Sequence, residues 1–210
     1  MFPTRGKSGI HAGRSRPLLL GVVGALVMLQ TGLASGEEPE ALVRVEQAVK
    51  AAYVYNFTKF VSWPVESPLT RAPEFTIGVL GDDSLAAAVE ATVRGKHAEG
   101  RPLVVRRFRA VDEVVPCSVL FVASAMAEQM PQLLQRLQGW PVLTVSDAGG
   151  FTSWGGVIGL FLEGNRVRFE IGVSAAQAAG LQVSSKLLRL SRPAPARACA
   201  TCAAGSDGER

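Results

Sequence analysis

Apolar side chains recur at three- and four-residue steps at Leu42, Val45, Val49, Ala52, Tyr53 and Phe60. That spacing predicts an amphipathic helix from Ala41 to about Phe60, with those residues as its apolar face. "SWP" closes it, because Pro64 disfavours helical geometry at Trp63. Phe75 to Leu80 is a short apolar run rich in strand formers, and Gly81 breaks it. Asp82 or Asp83 then caps a helix carrying Leu85, Ala88, Val89 and Thr92. Leu103 to Phe108 reads as a second strand. Cys117 to Val122 is continuously apolar, as in a strand buried on both faces. Met126 to Leu137 reads as a helix with Met130, Leu133, Leu134 and Leu137 on one stripe, and "PVLTVSD" as the next strand.

"AGGFTSWGG" interrupts this alternation, placing four glycines and two aromatics, Phe151 and Trp154, between two strands, the rings either exposed as anchors or packed on their own core beneath the hairpin. Val157 to Leu162 and Val167 to Ile171 flank "EGN", whose Gly164 and Asn165 supply a tight reversal, so an antiparallel hairpin is predicted. Ser174 caps a last helix, interrupted or kinked at Gly180 and ending near Leu190. Alternating strands and helices, then a hairpin and a helix, predict an α/β fold: a single domain with a mixed β-sheet flanked by helices.

Both ends fall outside that pattern. Residues 1–36 hold Arg5, Lys7, Arg14 and Arg16, no acidic residue, an apolar run from Leu18 to Leu29, and small residues at Ala34, Ser35 and Gly36. This is the layout of a cleaved secretory signal peptide; the run is shorter than the roughly 20 apolar residues of a spanning helix. The expected domain is 37–190, and 191–210, small, polar and aperiodic, reads as a disordered tail. Charge changes meaning on cleavage. The whole chain is formally +4, but the excess cations all lie in the signal segment, leaving 18 basic and 18 acidic side chains. A nucleic-acid partner calls for surplus positive charge, so none is expected. Arg106, Arg107 and Arg109 read as a solvated strand edge.

The chemistry-bearing residues argue against catalysis. The strand, glycine turn and helix of "IGVLGDDSLAAAVE" resemble the start of a phosphate site. Yet neither glycine fingerprint is present, and Asp82 and Asp83 put negative charge where a phosphate would sit. His97 is the one histidine after the signal segment, and no zinc pattern or G-x-S-x-G elbow occurs. No catalytic residue, metal or cofactor is expected. Cys199 and Cys202 have C-x-x-C spacing, open to redox chemistry; their place in the tail, away from a helix N-terminus, favours a local disulfide. Cys117 is expected to be a buried thiol.

Several stretches in order resemble the YfiR-like family: "KAAYVYNFTKFVSWP", "FTIGVLGDDSLAAAV", "CSVLFV", "VLTVSD", "FTSWGGVIGLFLEGNRVRFEI" and "SAAQAAGLQVSSKLLRL". The resemblance spans about Val49 to Leu190. It implies a periplasmic, non-enzymatic, homodimeric repressor of a membrane-bound diguanylate cyclase, controlling cyclic di-GMP and biofilm growth. It also implies a competing outer-membrane, peptidoglycan-associated lipoprotein. Two departures stand out. Gly172 follows "FEI" where the family has Asn, and Cys117 lacks the family's upstream cysteine partner. The candidate partner-binding residues are Phe151, Trp154, Arg166, Arg168 and Ile171: aromatics as anchors, and arginines projecting opposite Val167 toward an acidic partner. A periplasmic small-ligand sensor is the alternative reading.

Overall fold

In the computed structural model the described residues are 37–164 and 166–193. The chain divides into a unit ending at Leu42 and a compact unit beginning at Val43. Helix α1 (Glu37–Phe57) is followed by β1 (Val61–Ser62), α2 (Pro68–Arg71), β2 (Phe75–Leu80), α3 (Asp83–Val93), β3 (His97–Ala98), β4 (Arg101–Phe108) and β5 (Val119–Val122). Then come α4 (Met130–Arg136), β6 (Leu143–Ser146), β7 (Ile158–Glu163), β8 (Arg166–Ile171), α5 (Val173–Ala178), β9 (Gln182–Val183), α6 (Ser185–Leu190) and β10 (Arg192–Pro193). Eight strands form one mixed sheet in the order β10-β8-β7-β6-β5-β2-β4-β3, and β1 pairs with β9 in a second. β2, β4, β5, β6 and the start of β7 run parallel, while β7 and β8 are the antiparallel hairpin, with Ile158 opposite Ile171 and Glu163 opposite Arg166. The predicted α/β class and mixed sheet are what forms.

The strand period of two separates two cores. Ile77, Val79, Val119, Phe121, Leu143 and Val145 meet α1 and α3 on one face. Leu80, Leu120 and Val122 meet Met130, Leu133 and Leu137 on the other. The unbroken apolar run of β5 follows from burial on both sides. Gly78 is required mid-strand because a Cβ there would lie 2.7 Å from Phe108 and 2.9 Å from Leu120. Cys117, just before β5, packs in the same cluster. Burial pushes its thiol pKa up to about 12, against a weaker opposing pull from the Gly78 backbone. Trp63 packs at the same end of the strands on the other face, its indole N–H donating to the Ser118 carbonyl at 3.0 Å and its ring meeting Phe75 edge-on.

Three sequence expectations need correction. The stripe of Val45, Val49 and Ala52 on α1 is exposed, and the face turned inward carries Lys50, Ala51, Val54 and Phe57. α1 meets the sheet core through Ala51, Val54 and Phe57, while Gln47 and Lys50 one turn earlier make polar contacts that hydropathy does not register. The helix expected at 126–137 is a 3-10 segment, Ser124–Gln129, followed by α4, with Pro131 in the first turn of α4, where its missing N–H costs no intrahelical bond. The last helix is interrupted at Gly180, as its sequence allowed, leaving α5 and α6. Gly180, at φ +70°, ends the first, and Leu181 drops into the core so that β9 can reach β1. Gly172, not Ser174, occupies the cap position of α5.

Candidate functional site

The strand–glycine–helix turn at Gly81 lies where doubly wound sheets take ligands, at the C-terminal ends of the strands where the chain order reverses from β4 to β5. Here that place is filled by the protein itself. Asp82 caps α3 through Leu85 N–H at 2.8 Å, and its other oxygen accepts from the Gln47 side chain at 3.1 Å. One turn on, Lys50 reaches Asp147 at 2.6 Å and Glu46 at 2.8 Å, while Asp147 also accepts the Ser124 N–H at 2.7 Å. Burial alone would lower the Lys50 pKa, but the bonds from Asp147 and Glu46 outweigh it and hold the pKa above its ordinary value. The crevice is latched by α1.

Asp147 also begins the glycine-rich loop to β7. Ser146 anchors its start, donating to the Val122 carbonyl at 2.6 Å and accepting from Ala148 N–H at 3.1 Å. The loop folds back as tight turns, with Ser153 and Gly156 N–H bonded to the Gly150 and Phe151 carbonyls at 2.9 and 3.0 Å. Phe151 is wholly buried against Leu120, Val122 and their neighbours, and so is packed on the core rather than exposed as an anchor. It fills the space a crossover helix would otherwise cover. Gly156 is the necessary partner: a Cβ there would come within 2.2 Å of the Phe151 ring. Gly172 abuts the same loop, since a Cβ there would lie 2.7 Å from the Gly156 carbonyl.

Trp154, by contrast, stands 46% exposed. It and Trp140 flank a groove of about 430 Å³ whose walls include Leu134, Leu137, Ala175 and Ala178. No charged side chain lines it. The small residues of α5 keep its floor low, and the turn after α4 holds Trp140 at its rim. Of the five residues singled out in the sequence, only Trp154 is there. Ile171 is buried. Arg166 and Arg168 are exposed on the face opposite Val167, but toward the hairpin end, five and three residues along the strand from Ile171 and so about 16 and about 10 Å away. Arg168 lies 3.6 Å from Glu163. Sequence reasoning missed Trp140; an aromatic held between Gly139 and Pro141 just after a helix was the signal available.

Among the described residues, no group of three His, Cys, Asp or Glu side chains could hold a metal ion. His97 is exposed, and the Cys117 thiol is protonated and sealed in the core. The groove is uncharged, rimmed by tryptophans, and carries the Thr144 and Ser174 side chains among its polar lining. The chain belongs to the YfiR/HmsC-like family, whose profile matches residues 47–192. This is a family of periplasmic regulators of diguanylate cyclases, regulatory rather than catalytic. No helix among the described residues is long and apolar enough to cross a membrane. The signal peptide and the Cys199–Cys202 disulfide fall outside the described residues.

Proposed function

We propose that this protein is a periplasmic, non-enzymatic repressor that binds the periplasmic part of a membrane-bound diguanylate cyclase and so limits cyclic di-GMP and biofilm formation. The observation that carries the reading is the groove between Trp140 and Trp154. Half-exposed tryptophans beside a concave apolar floor are the usual anchors of a protein interface. Repression follows if the surface binds the cyclase's inactive state more tightly than its active one. Relief follows by mass action when a competitor, here an outer-membrane lipoprotein, occupies the repressor. The proposed working form is a homodimer.

The test is to replace Trp154 and Trp140 singly with Ala, measure binding to the cyclase's periplasmic segment, and measure cyclic di-GMP in cells. Loss of at least about 2 kcal/mol, roughly thirtyfold in affinity, with raised cyclic di-GMP is the expected result. Wild-type binding by both variants would overturn the assignment of the groove; wild-type cyclic di-GMP in a deletion strain would overturn the function itself. The groove's volume also suits a small ligand. That second reading, a ligand sensor, predicts saturable binding of an uncharged aromatic compound that W154A abolishes.

A further inference from the structure

The two edges of the large sheet are treated differently. At the β8 edge, β10 pairs with Glu170 and Ile171, and the Tyr53 hydroxyl donates to the Val167 carbonyl at 2.9 Å. At the other edge, β3 covers β4 only at Arg101 and Pro102. Backbone parity then identifies what is left open. The Phe108 carbonyl points inward to Gly81 N–H at 3.0 Å, whereas Leu103 N–H points outward to Lys96 at 3.1 Å. Alternation puts the N–H and C=O of Val105 and Arg107 on the outer side as well, and among the described residues nothing pairs with them. The edge closes again at Arg109, whose backbone N–H donates to the Glu113 carboxylate at 2.8 Å.

Charge narrows the occupant. Arg107 is held by Glu90 through two bonds of 3.0 and 2.9 Å, with Asp83 at 4.0 Å. The exposed Arg106 and Arg109 side chains have no carboxylate within ion-pair distance among the described residues. Arg106 lies within β4, and Arg109 lies three residues on, in the bend just past its end. A second copy paired on this edge would set arginines against arginines. We propose that the open edge of β4 is a docking site for an extended acidic segment of another protein, added as a further strand over Val104 to Phe108. Main-chain bonds to Val105 and Arg107 supply the affinity, and two carboxylates three residues apart, one for each arginine, supply the selection. This surface is separate from the tryptophan groove and stands or falls independently of it.

The test uses the isotope-labelled protein and the peptide acetyl-Val-Glu-Val-Thr-Glu-Val-amide, with the Glu-to-Lys peptide as control. Saturable binding that slows amide exchange at Val105 and Arg107, and not at Val104 or Arg106, is the expected result. Arg106→Glu with Arg109→Glu, both exposed changes, should weaken it at least tenfold. Val105→Pro, which removes one outward N–H at an edge position that tolerates proline, should abolish it. Equal binding of the lysine peptide, unchanged exchange at Val105 and Arg107, or an unaffected double-glutamate variant would overturn the proposal. So would concentration-dependent protection of the same amides without peptide, which would mark a self-pairing edge.

Discussion

Lys50→Met is the sharpest test of how α1 is held. Lys50 is 8% exposed, and its ammonium lies between Asp147 at 2.6 Å and Glu46 at 2.8 Å. Methionine keeps the length and apolar volume of the stem and removes only the charge. Breaking a fully buried pair by deleting one partner costs about 3–5 kcal/mol, mostly from the charge left behind. The Asp147 side chain is 18% exposed and keeps its bond from Ser124 N–H, while the Glu46 side chain, 40% exposed, is free to rehydrate. The expected loss is therefore reduced to about 2–3 kcal/mol. In a domain of about 150 residues that lowers Tm by about 5–10 °C. Urea denaturation and calorimetry of the single variants, and of the pair with Asp147→Asn, give the coupling directly; the double variant should lose less than the sum. Glu46→Gln, at a mostly exposed i,i+4 pair, should cost under about 0.5 kcal/mol. Because the folded Lys50 pKa is raised, its contribution is fully present below the unfolded value of 10.5 and is lost as pH rises through the folded value. The Met variant should lack that part of the alkaline decline. A Tm change under about 2 °C for Lys50→Met, or additive single losses, would refute the latch.

The other predictions concern the loop, the groove and the core thiol. Phe151→Ala should destabilise by about 3–5 kcal/mol, as for a large buried ring, and denaturant midpoints would show it. Gly156→Ala should cost about 1–3 kcal/mol or more, because its new methyl meets the same ring; a midpoint within error of wild type would count against that packing. Trp154→Ala, half-exposed, should leave stability within about 0.5 kcal/mol while impairing binding, which separates groove from core. Cys117 should resist thiol reagents in the native state and react on unfolding. Since its pKa is raised to about 12 from 9.0, it stabilises the fold below pH 9 and loses that contribution between pH 9 and 12. Cys117→Ala should flatten that limb of the pH–stability curve.

Strands were the most legible elements. β2 is found where its apolar run and Gly81 put it, and the hairpin forms around "EGN" because turn chemistry acts over a few residues. Asp82 caps its helix as a short-range motif should. Continuous apolarity at 119–122 already required burial on both faces, and the ordered motifs carried the family. Those features depend on neighbours within about one turn, so the chain alone determines them.

What faces what was decided only in three dimensions. Val45 and Val49 have the spacing of an inner stripe, yet they point outward, because α1 is oriented by Lys50 and Gln47 reaching Asp147 and Asp82, which lie far along the chain. Phe151 and Trp154, three residues apart in one glycine-rich loop, part company: one is core and the other rim. The groove draws its walls from the turn after α4, the loop before β7 and the helix after β8, and Trp140 acquires a role only once those meet. Local spacing sets which elements form. Which surfaces they share depends on contacts between residues distant in sequence, and no periodicity encodes those.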